Sequence, residues 1–300
     1  MREDRVVSVT DPFAAERDRL WGIAYRMLGS RHDADDIVQE AWIRWSRADI
    51  SAIERPAAWL TTVTSRLAID RLRSRKSERA TYVGPWLPEP VEIAPDPAEL
   101  AESVTIGFLT LLERLQPVER IVLLLADVFD EPFDDIATIV GKSPAACRQI
   151  AVRARQRVRD ERRQRTPHST PQNPPGHDLL AQFGMACASG DIPTLIRLLG
   201  DDVVLVSDGG PQRHAARRPV IGPERVARFC VNISKRIPPL ATLRPATINA
   251  QSGLVVEVNG QPEFAMVLDL HADRIGGIYV IVNPDKLHGL GVTHRYPSQP

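Results

Sequence analysis

Asp33, Asp36 and Glu40 recur at i, i+3 and i+7, with Gln39 beside them. On a helix that spacing stacks the three carboxylates on one side. Such a ridge suits a cationic partner, and its plain alternative is a solvated helix face. Two other segments carry the opposite charge. Residues 65–79 hold six basic side chains (Arg66, Arg71, Arg73, Arg75, Lys76, Arg79) against two acidic ones, and residues 142–165 hold nine against two. The totals balance at 38 Lys+Arg and 38 Asp+Glu, so no global basic field draws the chain to nucleic acid. Charge is instead sorted along the chain, into one cation-seeking helix and two anion-seeking ones.

These residues need elements to hold them. A length of 300 residues suits about two domains, and an apolar share of 43% can bury real cores. No run of eighteen apolar residues occurs, and the start leads into no apolar leader segment. Three well-separated cysteines (Cys147, Cys187, Cys230) favour a reducing, cytoplasmic setting over a disulfide framework. Proline-rich stretches mark the joints. They give a helical block at 11–76, a linker at 77–97, a second helical block at 98–163, a linker at 164–176, an α+β block at 177–290 and a tail at 291–300.

In the first block Asp11 and Pro12 open a helix that ends at Gly29. The next, about 32–47, buries Ala34, Ile37, Val38, Ala41, Trp42 and Trp45 as one stripe. A third runs from Pro56 to Lys76, aromatic at its start (Trp59) and basic at its end. In the second block apolar helices are expected at 98–115 and 117–128. Residues 134–159 then read as helix, tight turn, helix, with Gly141 in the turn and Ser143 and Pro144 opening the second helix. Its buried stripe leaves Ala145, Arg148, Gln149, Val152 and Arg153 outward, the arrangement and residue types with which a recognition helix meets the major groove. With about six phosphate contacts, affinity would fall with salt at a log–log slope of about −5. The third block offers helices at 178–189, 192–199 and 223–237. Strands are expected at 203–207, 246–250, 254–258, 263–270 and 276–282, with Asn259-Gly260 as a hairpin turn. Helices followed by a strand meander suggest a curved antiparallel sheet.

Residues 33–42 (DADDIVQEAW) resemble the core-polymerase-binding helix of bacterial sigma factors, residues 59–73 resemble the segment that melts and reads the −10 element, and the helix-turn-helix resembles the −35 reader. With nothing resembling other sigma regions between them, this is the two-domain layout of the extracytoplasmic-function group. The third block resembles the SnoaL-like branch of the nuclear-transport-factor-2-like cone fold, carried by one subgroup. Its motifs are matched by Trp86, Leu87, Pro88, Glu89 and Pro90 in the linker, by Asp208, Gly209 and Gly210 in a loop, and by Asn283, Pro284, Asp285, Lys286 and Leu287 near the end. The loop departs from the family at Pro211 and Gln212, where glycine and lysine usually follow.

The resemblance implies a multidomain chain: two all-α domains plus a C-terminal α+β cone. Asp33, Asp36, Gln39 and Glu40 would bind the coiled coil of the polymerase's largest subunit, with the flap as a second polymerase contact. Trp59, Arg66, Arg71, Arg73, Arg75 and Lys76 would hold −10 DNA. Ser143, Ala145, Arg148, Gln149, Val152, Arg153 and Arg155 would hold −35 DNA. The three C-terminal-subgroup motifs would make regulatory contacts in cis, the tail docking on the first block or on the linker. The cone could also take a small ligand. Asp208, His214, Asp269 and His271 are the polar candidates there, but no pair stands at a spacing that demands acid–base chemistry, so no catalytic, metal or cofactor site is expected. Two rivals remain: a one-component regulator with a ligand-sensing third block, and a SnoaL-type enzyme tethered to DNA. The first predicts tight duplex binding without polymerase; the second predicts a cavity with several polar groups.

Overall fold

The computed structural model describes residues 11–75, 79, 81–92, 103–165, 176–271 and 273–291, leaving aside the side chains of 162–165, 176 and 177. Helix α1 (Pro12–Leu28) starts where the Asp11 carboxylate accepts from the Phe13 amide, and ends at Gly29, whose φ of +61° is left-handed. Helices α2 (Arg31–Arg47) and α3 (Pro56–Ser74) pack against it. Helices α4 (Ile106–Leu112), α5 (Pro117–Asp127), α6 (Phe133–Val140) and α7 (Pro144–Arg165) follow. Between α6 and α7, Gly141 takes φ +67° and Ser143 Oγ accepts from the Ala146 amide at 3.2 Å, forming the expected helix-turn-helix. Leu20, Trp21, Tyr25, Ile37 and Trp45 of the first group and Leu124, Ile136, Cys147 and Ile150 of the second belong to one continuous buried core. The two helical groups therefore lie against each other.

The third block begins with α8 (Gly176–Ser189) and α9 (Ile192–Leu198), then β1 (Leu199–Asp208), β2 (Val220–Ile221) and α10 (Pro223–Ser234). Strands β3 (Thr242–Ile248), β4 (Gln251–Val258), β5 (Gln261–His271) and β6 (Arg274–Ile281) form the meander, and α11 (Pro284–Leu287) ends it. The sheet order is β2-β1-β6-β5-β4-β3. Asn259 and Gly260 both have positive φ and turn β4 into β5, as expected. The structure departs from the sequence reading at the helix expected at 98–115, which among the described residues is only Ile106–Leu112, and in the sheet. The sheet is mixed, because β1 pairs parallel with β6. The expected strand at 246–250 instead stops at Ile248, and Asn249 and Ala250, at φ +51° and +58°, form a turn into β4.

One face of the sheet packs α8, α9 and α10 around Phe183, Leu195, Val226, Leu268 and Ile278. The other face, with Val206, Ile248, Val255, Val267 and Ile281, covers Leu87, Ile106, Leu287 and Leu290. So the sheet is buried on both sides, on one by its own helices and on the other by the linker and α4. No helix among the described residues is long and apolar enough to cross a membrane.

Candidate functional site

Helix α2 divides its acids between two roles. Asp36 is exposed, as are Asp35 and Gln39, and Glu40 pairs with Arg44 at 2.9 Å on the surface. Asp33 is not on that ridge. It is 1% exposed, and it accepts from Arg71 at 2.9 Å and from Arg75, both carried by or just beyond α3. The expected ridge therefore begins at Asp35 and Asp36, and Asp33 ties α2 to α3. Trp42 departs the other way. It is 49% exposed and leaves the buried stripe for the side that carries Gln39. The stripe still holds Ala34, Ile37, Val38, Ala41 and Trp45.

The −10 candidates on α3 are largely engaged within the molecule. Trp59 is part-buried against Trp45, ring centroids 5.6 Å apart. Arg71 and Arg75 serve Asp33, and Arg73 pairs with Asp70 at 3.3 Å. Arg66 donates to the carbonyls of Thr138 at 2.8 Å and Ile139 at 3.2 Å, the C-terminal end of α6. Lys76 lies outside the described residues. Arg55, just before α3, forms a two-bond pair with Asp135 of α6 at 2.9 and 2.8 Å, and Arg19 of α1 pairs with Glu131. On α7, Ala145, Arg148, Gln149, Val152 and Arg153 are exposed together, as the periodicity requires. Arg155 is half-buried, and its guanidinium grips Asp127 of α5 at 2.6 to 3.2 Å, holding α7 to its own domain in this form. The Ser143 hydroxyl is committed to capping.

The three remaining motifs meet at one buried carboxylate. Asp208, at the end of β1, is fully buried. It accepts from Tyr82 Oη at 2.6 Å, the Leu87 amide at 2.8 Å, Lys286 Nζ at 2.6 Å and the Gly210 amide at 3.0 Å. Asn283 Nδ2 donates to Tyr82 Oη at 2.9 Å, and Lys286 also donates to the Leu87 carbonyl. Lys286 stands 4.0 Å from the Trp86 ring centroid while Arg79 covers that ring at 3.4 Å. Burial pushes the Lys286 ammonium down to about 8, against the opposing pull of Asp208. A Cβ on Gly210 would sit 2.6 Å from Asn283, so only glycine lets the loop close on the tail. Gln212, one of the departing residues, donates to the Asp285 carboxylate at 3.2 and 3.1 Å. Burial and the hydrogen bond to Asp208 together raise the Tyr82 phenol far above its ordinary range. It therefore stays protonated as a donor.

From this centre the linker continues as an extended strap, 82–92, between the sheet and α1–α2. Leu87, Pro88, Pro90 and Val91 are buried. Asn249 faces three segments at once: its amide and Oδ1 pair with the carbonyl and amide of Val91, and its Nδ2 donates to Tyr25 Oη and the Val104 carbonyl. Glu92 receives Arg244 at 3.0 and 2.7 Å. Gln251 accepts from the Ile106 amide at 2.8 Å. Sequence reasoning missed Tyr25, Tyr82, Asn249 and Gln251. Only Tyr82, four residues before Trp86, carried any local signal.

Among the described residues, the remaining polar candidates lie outside the apolar cluster between sheet and helices. That cluster includes Phe183, Leu195, Val226, Leu268 and Ile278. Asp269 and His271 share a side, 3.4 Å apart, and Gln251 reaches Asp269 at 3.4 Å next to α4. His214 is exposed on the loop after Gly210, where it lines a cleft of about 190 Å³ with strap residues 83–85.

An acidic helix, a basic helix and a helix-turn-helix on one chain define the promoter-selecting class of transcription proteins. Comparison with known proteins agrees: residues 13–78 match Sigma-70 region 2 and residues 107–158 match Sigma-70, region 4. The chain is 36% identical over 298 residues to the ECF RNA polymerase sigma factor SigJ of Mycobacterium tuberculosis, spanning 94% of each. It is 31% identical over 291 residues to a probable ECF sigma factor, SigI, of the same species, spanning 94% of this chain and 96% of that one. The crystal structure of SigJ matches at a TM-score of 0.73 and 33% identity, covering 93% of this chain and 98% of that chain. The chain belongs to the extracytoplasmic-function RNA polymerase sigma factors. Its function is promoter-specific initiation of transcription with the polymerase, and its C-terminal block is an α+β domain fused to the two sigma domains.

Proposed function

We propose that this structure is the closed, unloaded form of the sigma factor, held shut in cis by its C-terminal domain. Asp35, Asp36, Gln39 and Glu40, with Trp42 as the apolar anchor, dock on the coiled coil of the polymerase's largest subunit, a basic partner. Arg66 and Arg73 of α3, with Lys76, hold −10 DNA. Arg148, Gln149, Val152 and Arg153 read the −35 element while the second helical domain meets the polymerase flap. The chain works in the cytoplasm, where that template and enzyme are, and the polymerase does the chemistry.

One observation carries the closed-form reading. The −10 helix donates directly to the helix-turn-helix, Arg66 to the carbonyls of Thr138 and Ile139. Elements named −10 and −35 lie about 25 base pairs apart, about 85 Å of duplex. Two helices in hydrogen-bond contact cannot read both. Loading must therefore break Arg66 and Arg55 away from α6, freeing them for phosphate. Dyes at Ala57 of α3 and Lys142 beside α7, both exposed, test this by energy transfer. Transfer is high in the free protein and falls on adding core polymerase with promoter DNA. Unchanged transfer in an initiating complex overturns the reading.

A further inference from the structure

The start of α2 has four backbone N–H groups that its own helix cannot satisfy. They belong to Ser30, Arg31, His32 and Asp33; the Ser30 Oγ accepts from Asp33 at 3.2 Å, and the first ordinary turn bond runs from the Ala34 amide to the Ser30 carbonyl at 3.1 Å. Two of the four, the amides of Arg31 and His32, both point to Glu89 Oε2, at 2.7 and 3.4 Å. So half of this helix cap comes from a side chain of the strap, 58 and 57 residues away in sequence. A carboxylate there also faces the positive end of the helix dipole.

The strap is held from both sides in alternation. Leu87 and Val91 bond to the C-terminal domain, through Asp208, Lys286 and Asn249. Glu89, between them, faces the other way. Its amide donates to the Gly29 carbonyl at 2.8 Å, and its carbonyl accepts from Tyr25 Oη at 2.7 Å. Trp86 lies so close to Gly29 that a Cβ there would stand 2.6 Å from its ring. Arg31 itself donates to the Gly289 carbonyl, just past α11, at 3.0 Å. The exposed acids of α2 begin one turn later, at Asp35 and Asp36.

We propose that Glu89 is a positioning residue for polymerase docking: the C-terminal domain grips the strap, and the strap's carboxylate fixes the first turn of the helix that presents the docking face. The C-terminal domain thereby acts on polymerase affinity as well as on the closure of the DNA-reading helices. This rests on the reading of α2 as the docking helix. It gives the Glu of the linker motif a task distinct from its neighbours: Trp86 and Leu87 anchor the strap, and Glu89 transmits the anchoring. When the strap is released, α2 loses two caps at once and its first turn frays.

The test uses the full chain. Hydrogen exchange is followed at single amides, and affinity for core polymerase is read by anisotropy of a labelled protein. Glu89→Ala speeds exchange at Arg31 and His32 but not at Asp33, which keeps Ser30, and weakens core binding about fivefold, the usual worth of a helix cap. Glu89→Gln keeps an acceptor oxygen and recovers most of the affinity; it also serves if the alanine variant does not fold. Tyr82→Phe loosens the strap at Asp208. Combined with Glu89→Ala it weakens binding by less than the product of the two single effects, because both act through one strap. Glu89→Ala with wild-type affinity, alongside an Asp36→Arg control that has lost it, overturns the coupling and leaves the docking face standing. Wild-type affinity in both overturns the docking face itself. Effects of Glu89→Ala and Tyr82→Phe that multiply in full overturn the link to the C-terminal domain.

Discussion

Two buried aspartates do similar work on either side of the strap. Asp33 binds Arg71 and Arg75 and ties α2 to α3 within one domain. Asp208 binds Lys286, Tyr82 and the Leu87 amide, and ties the C-terminal domain to the strap. The difference lies in the cations. The Arg71 and Arg75 side chains are 43% and 21% exposed, whereas Lys286 is 7% exposed. Arg71 can turn to water if its partner is lost, but Lys286 cannot. The inner tie is therefore replaceable, and the interdomain tie is all-or-none, as a latch should be.

The sharpest way to break this contrast is to remove each carboxylate. Asp208→Ala leaves Lys286 buried beside unpaired donors and costs about 3–5 kcal/mol in denaturant unfolding. Asp33→Ala leaves rehydratable arginines and costs about 1–3 kcal/mol. Equal losses would mean that exposure of the partner does not set the price of the break. Asp33 can also be set against its surface neighbours. Asp36→Arg with Glu40→Arg should abolish binding to core polymerase while shifting unfolding by less than about 0.5 kcal/mol, since both are surface positions. An unfolded double variant would move those acids into the structural class with Asp33. The smallest effect is on pH. Unfolded Lys286 keeps its proton to its ordinary 10.5, and the buried one loses it at about 8. Between those values the unfolded chain holds the extra proton, so this group's contribution to stability is lowest below 8 and rises through the window. Urea midpoints compared across that range should show the rise, and Lys286→Met should flatten it. A flat wild-type profile would mean that Lys286 is not desolvated.

How far the sequence could lead varied with range. Local rules found the Asp11 cap, the Gly141 turn and the outward set on α7, because each depends on residues within a turn or two. The Asn259-Gly260 hairpin was legible for the same reason. The burial of Asp33 was not, since it depends on arginines 38 and 42 positions away. Trp42 fitted the helical stripe by number alone, but the stripe is narrower than the period allows. The turn at Asn249 and Ala250 was hidden because Ala gives no sign of a positive φ. It is enforced by Asn249 reaching Val91, Val104 and Tyr25, contacts that exist only after the domains meet. The three subgroup motifs were visible as words; that they converge on one carboxylate was a matter of topology.

That topology has a cost for change. Asp208 ends β1 opposite Ile281, the last residue of β6, and Asn283 follows two positions later. Both halves of the latch thus hang from adjacent strand ends whose mutual alignment is parallel and whose side chains alternate. A single inserted or deleted residue in either strand would turn Asp208 or the Asn283 segment to the opposite side. Point substitutions on those strands can drift, but their lengths cannot, so the spacing between Asp208 and its strand partners should vary less among descendants of this chain than the amino acids that fill it.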